Sequence, residues 1–246
     1  MPTRSSQSSA CDRAKAEASG SNYPGAKRSF VSARALPFIA YIAALATESF
    51  VPAETFPFDL RLLYALRVLS ATLLLVWFWR EYEELRAPPR ISWTGWLAAV
   101  LVGVVVFVVW IHLDASWMVL GASKGFDPTA SNADLDWALV ALRIGGATLV
   151  VPIIEELFWR SFLMRWIERQ DFLLIRPGNV GARGLILSSL VFGLEHHQWV
   201  AGVIAGLAYA ELYRRTANLW APIAAHALTN LILGIWVVRT ASWQYW

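Results

Sequence analysis

The sequence predicts an all-α, polytopic integral membrane protein of about seven transmembrane helices, with its functional residues inside the helix bundle. Three observations carry that expectation. Hydrophobic residues make up 57% of the 246-residue chain and charged residues only 16%, where a soluble domain carries about a quarter charged. Apolar stretches of about 20 residues, long enough to cross a bilayer as helices, recur along the chain. Fourteen tryptophans suit a protein with two headgroup boundaries to occupy.

Residues 1–34 form the exception, a polar and basic stretch that reads as a disordered cytoplasmic tail. It lacks the apolar core of a secretory signal. It holds Cys11, the one cysteine, which excludes an internal disulfide or a cysteine-based metal cluster. The expected spans follow at 36–51, 62–79, 93–113, 137 to beyond 166, 185–199, 200–213 and 219–238. The fourth is too long for one simple span, and Gly145, Gly146 and Pro152 are its candidate breaks. The fifth and sixth are short and nearly continuous, either a tight hairpin or one broken helix. Gly202 and Gly206 make a G-x-x-x-G pattern that lets another helix approach closely.

The connections alternate in charge. Lys27, Arg28 and Arg34 precede the first span, and Glu54 and Asp59 follow it. Arg80, Arg86 and Arg90 follow the second span, and Asp134 and Asp136 the third. Arg165, Arg169, Arg176 and Arg183 follow the fourth, and Arg214 and Arg215 the sixth. By the positive-inside rule the N-terminus is cytoplasmic and the C-terminus lies on the opposite side. The same distribution explains the sequence pI of 9.2 without a nucleic-acid partner. Arg61, Arg67 and Arg143, near span ends, are expected to snorkel. Trp159 and Trp199 read as packing residues.

Ionisable groups within apolar segments are costly and mark function by default. They fall in three stretches: Glu155, Glu156 and Arg160 in IIEELFWRSF, Glu195, His196 and His197 in FGLEHHQW, and His226, with Asn230, in AHALTN. Helical spacing sorts them. Glu156 and Arg160 lie four apart and can pair on one face, while Glu155 points about 100° away and is left to face water. His196 can orient a water or move a proton. His226 and Asn230 share a face and offer donors to an anionic oxygen. These are the parts needed to add water to a peptide carbonyl.

The ordered motifs E-E-x-x-x-R (155–160), F-x-x-x-H (192–196) and H-x-x-x-N (226–230) resemble those of the CAAX prenyl protease and bacteriocin-processing family of intramembrane endopeptidases. Each motif is weak alone; all three in order, in separate spans, are specific. The segments RALPF, EELFWRSFLMRW, FGLEHHQW and SWQYW look more narrowly like an exosortase-associated, CAAX prenyl protease-related subgroup. The resemblance covers residues 35–246, the expected protease domain. It implies that Glu155 acts as base on water with His196 assisting, that His226 and Asn230 stabilise the oxyanion, and that Glu156 and Arg160 support the site.

It also implies a peptide or protein substrate in or near the membrane, a bacterial inner-membrane location and a link to an exosortase sorting system. The requirement for a metal stays open. Glu155, His196 and His226 are a set of donors that zinc accepts, and the same groups activate water without an ion. Two other functions fit a polar cluster in a helical bundle: a proton-coupled transporter, and a non-enzymatic immunity or binding protein. A transporter needs polar residues strung through both faces, which separates it from a hydrolase.

Overall fold

The computed structural model describes residues 24–50, 59–121, 123, 125–129 and 134–246, with side chains from residue 30 onward except 47–50. The expected disorder of the tail before residue 24, Cys11, Glu54 and the side chains of Lys27 and Arg28 lie outside this set. The described residues fold into eight helices and no β-strand. They are α1 (Pro24–Phe50), α2 (Leu60–Trp77), the short α3 (Glu83–Arg86), α4 (Trp93–His112), α5 (Trp137–Glu168), α6 (Ala182–Glu195), α7 (Trp199–Thr216) and α8 (Trp220–Thr240). Four of them (α2, α4, α5 and α8) are long and apolar enough to cross a membrane, and α1 contributes a shorter apolar stretch, Phe30–Ala46. The protein is therefore an all-helical polytopic membrane protein. Length and apolarity single out four spans rather than the expected seven, because α6 is short and α7 carries Glu211, Arg214 and Arg215 near its end.

The first helix begins at Pro24, eleven residues inside the segment expected to be a disordered tail. Its Arg34, expected among the loop charges, is buried instead. The guanidinium donates to both oxygens of Glu84, at 2.8 and 2.7 Å, and to the Ser161 hydroxyl at 3.1 Å. Arg165 donates to the same hydroxyl at 2.9 Å. This clamp ties α1, α3 and α5 together at one end of the bundle.

Helix α5 positions the site. Asp136 caps its start, accepting from the backbone N–H of Ala138 and Leu139. The helix is continuous from Trp137 but relaxes into π-helical turns at Gly146–Val150 and Leu157–Leu163. Pro152 cannot donate to the turn before it, and a π-bulge is one way a helix absorbs such a defect. The predicted break is thus a local widening, and no separate boundary segment splits off at residues 137–143. Glu155 and Glu156 sit between the two π segments.

Small residues bring the other helices close. A Cβ on Gly202 or Gly206 of α7 would stand 2.9 Å from the Gly193 backbone or 3.0 Å from that of Ser189 in α6. The G-x-x-x-G pattern therefore packs α6 and α7 as a tight hairpin. A Cβ on Gly103 of α4 would stand 2.7 Å from the Ala225 carbonyl, so α4 lies directly against the turn of α8 that carries His226.

Candidate active site

Glu156, fully buried, is the anchor. Its Oε2 lies 3.2 Å from Arg160 Nε, the pairing expected from their spacing. Its Oε1 lies 3.0 Å from His226 Nδ1. A buried carboxylate with two such partners on different helices locks α5 to α8. Arg160 Nη2 also donates to the Gly206 carbonyl at 3.3 Å, and its guanidinium lies 4.4 Å over the Phe192 ring. The bare backbone at Gly206, which brings α7 against α6, is thus a hydrogen-bond acceptor for this cation.

Glu155 is buried but turned elsewhere. Its Oε2 has no hydrogen-bond partner, and His226 Nε2 lies 4.0 Å away. The His226 ring stacks on Tyr209, with centroids 5.0 Å apart and planes at 18°. Tyr209 donates to Thr229 at 2.8 Å, and Thr229 reaches the Gly103 carbonyl, also at 2.8 Å. His226 is therefore held at one nitrogen by Glu156 and on one face by Tyr209, with its other nitrogen aimed toward Glu155.

His196 caps the end of α6 rather than lying within it. Its Nδ1 is 2.7 Å from the Phe192 carbonyl. A carbonyl only accepts, so Nδ1 carries the proton and Nε2 is left as an acceptor in the neutral ring. Asn230 donates from Nδ2 to the Ala147 carbonyl at 2.8 Å, leaving its second N–H. Glu155, His196, His226 and Asn230 all line one cavity of about 170 Å³. Residues from three separate apolar stretches thus meet at one place. Glu156 and Arg160 stand behind that wall.

Other candidates fall outside it. His197 turns to the Leu120 carbonyl at 2.6 Å, and Glu195 is exposed on the surface of α6. Trp159 packs against Phe38 and Phe192, and Trp199 donates to the Trp117 carbonyl. The three donors named for a metal do not share one point: among the described residues no three His, Cys, Asp or Glu side chains are grouped to hold an ion. The residues in this arrangement do not fit a bound zinc.

The sequence reading missed several lining residues, among them Tyr64, Trp110, Arg143, Tyr209 and Thr229. Arg143, expected to snorkel, lies with its guanidinium 4.4 Å over the Tyr64 ring. Arg61 does reach outward, to Asp59 and the Thr129 carbonyl. Its hydrogen bond holds the Asp59 carboxyl below its ordinary value.

Residues 137–232, from α5 into α8, match the family model described as Type II CAAX prenyl endopeptidase Rce1-like. All three motifs lie in that stretch. The chain is also 30% identical over 123 residues to "Putative membrane peptidase YdiL" of Bacillus subtilis (strain 168). That alignment covers 48% of this chain and 46% of the relative, so the chain spans about half the length of the relative it matches. No solved structure matches the chain. Both matches are to proteins described as peptidases, and each covers less than half of this chain. Neither match singles out the exosortase-associated subgroup.

Proposed function

We propose that this chain, Rce1-like over residues 137–232, is an intramembrane endopeptidase that hydrolyses a peptide bond of a membrane-associated protein or peptide. One observation carries the reading. Glu155, His196, His226 and Asn230 arrive from three separate helical segments and line the same cavity.

The chemistry follows from which atoms are already engaged. An oxygen about 2.8 Å from each fits between Glu155 Oε2 and His226 Nε2, which are 4.0 Å apart. A water there loses a proton to Glu155 as its oxygen bonds to the scissile carbonyl carbon. His196 Nε2 accepts the water's other hydrogen and so fixes its lone pair. The oxyanion that forms takes the free N–H of Asn230, and that of His226 when the ring carries both protons, with Glu156 balancing the charge. Glu155 then returns its proton to the leaving nitrogen as the C–N bond breaks. Arg160 holds Glu156 in place. No step runs through a metal.

The positive-inside pattern of the connections supports a cytoplasmic N-terminus; the opposite C-terminus follows if α1 and the α6–α7 hairpin cross the membrane as well, and a bacterial inner-membrane setting rests on the sequence resemblance. A role beside an exosortase sorting system rests on the sequence resemblance. A proton-coupled transporter calls for polar groups along a path through both faces, whereas these gather at one cavity.

Cleavage of co-expressed candidate membrane substrates, wild type against Glu155→Gln, with and without chelator, tests the mechanism. The expected result is loss of cleavage in the variant and none on chelation. Full cleavage by Glu155→Gln would overturn the glutamate mechanism, and loss on chelation would assign a metal.

A further inference from the structure

Arg143 is paired differently from three buried arginines of the bundle, Arg34, Arg160 and Arg165, and like Arg67 it lies over the Tyr64 ring. Arg34 binds Glu84, Arg160 binds Glu156, and Arg165 donates to Ser161. Arg143 is half-buried, and its guanidinium is framed by aromatic faces, 4.4 Å over Tyr64 and 5.5 Å over Phe126. Its Nε is buried with no hydrogen-bond partner, and no carboxylate pairs with it among the described residues. The backbone of the same residue is fixed: its carbonyl accepts from the Tyr64 hydroxyl at 3.2 Å. A cation anchored in this way and lacking an anion is a built receptor for one, because aromatic faces orient a guanidinium without using its fork of donors.

The position matters as much as the charge. Arg143 and Glu155 line the same cavity. They are twelve residues apart on one helix, so their backbones are separated by at most about 18 Å at 1.5 Å per residue, the π-helical turn at Gly146–Val150 shortening the span; that is up to about five residues of extended peptide. The cavity therefore holds Glu155 and Arg143 at separate places along its wall. A peptide carboxylate is drawn to Arg143, which fixes the direction in which the peptide lies.

We propose that Arg143 forms a carboxylate-binding subsite, selecting peptides with an anionic group within about five residues of the bond presented to Glu155. The group is a C-terminal carboxylate or an Asp or Glu side chain. The identity of the ligand as a peptide rests on the peptidase reading.

The test uses the full chain with Glu155→Gln, which leaves bound peptides intact, in detergent micelles. Fluorescently labelled apolar decapeptides are the probes: one with a free C-terminus, one amidated, and an amidated series with a single Asp moved along the sequence. Anisotropy reads binding. The free acid or one of the Asp peptides is expected to bind about tenfold or more tighter than the plain amide, the scale of a charge-assisted hydrogen bond. Preference for the free acid alone assigns the C-terminus as the source, and rescue by Asp assigns a side chain. The preference should vanish in Glu155→Gln/Arg143→Gln and persist in part with Arg143→Lys. Equal binding of acid, amide and Asp peptides, or binding of none, overturns the subsite. So does discrimination that survives Arg143→Gln. If Arg143→Gln does not fold, the acid-against-amide comparison and Arg143→Lys still decide. Wild-type hydrolysis is read separately: peptides that show the preference but are never cut overturn the peptidase reading and leave the subsite standing.

Discussion

Helix α5 contributes to two clusters of buried charge. In one, Ser161 and Arg165 meet Arg34 and Glu84; in the other, Glu155, Glu156 and Arg160 meet His226. In the first, both Glu84 oxygens accept from Arg34, and Arg34 spends its other donors on the Phe30 and Glu81 carbonyls. In the second, Glu156 Oε1 meets His226 and its Oε2 faces Arg160 across an ion pair, but Glu155 Oε2, Glu156 Oε2 and Arg160 Nη1 are all buried without hydrogen-bond partners. A fully satisfied network fixes a structure, and an incompletely satisfied one is tolerated where function needs it. The clamp holds α5 still so that one turn away a carboxylate can remain unspent.

The sharpest way to break this contrast is to remove each carboxylate's charge in turn. Glu155→Gln should lower hydrolysis about 10²–10⁴-fold while leaving the thermal unfolding midpoint in detergent at or above wild type. A variant that instead unfolds would move Glu155 into the structural class. Next in size, Arg34→Met should destabilise by about 3–5 kcal/mol, because it strands Glu84 in a buried site. Hydrolysis per folded molecule should be retained; loss of activity at full stability would give the clamp a chemical role. Thr229→Val, which cuts the link from Tyr209 to Gly103, should cost about 1–3 kcal/mol. It should also slow turnover by loosening the ring against which His226 stacks, and kinetics beside unfolding curves measure the two effects.

The smallest effect is a pH dependence. Burial by itself raises the Glu84 carboxyl, but the Arg34 charge and the hydrogen bonds from Arg34 and Ser161 outweigh it and hold the group below its ordinary 4.5. The unfolded chain then binds more protons between the two values, so the clamp's contribution is complete above 4.5 and lost as pH falls through the lower folded value. Unfolding midpoints across that acid range should decline more steeply for wild type than for Glu84→Gln.

What the sequence disclosed and what it hid divide along the same line. The Glu156–Arg160 pair, the divergence of Glu155 from that pair and the close approach at Gly202 and Gly206 are consequences of helical periodicity, which a sequence carries in full. The clamp is invisible to periodicity because Arg34 and Glu84 lie 50 residues apart, and an arginine before an apolar run reads as a loop charge. Arg143 was hidden for a related reason: near a span end, a snorkelling arginine and one turned inward have the same sequence. His196 shows a third limit. The F-x-x-x-H spacing suggested a helical face, yet the residue ends its helix, and it still reaches the cavity because the α6–α7 turn is tight. Among the described residues no three such donors are grouped around one point, and residue type and order do not encode grouping.

Tyr245 and Trp246 also line the cavity. A purification label fused behind Trp246 therefore starts its path at this cavity, and on the peptidase reading it is a tethered competitor at an effective concentration of about millimolar. Enzyme labelled ahead of Pro24 should turn over faster than the same enzyme labelled behind Trp246, and the gap should close once the trailing label is clipped away.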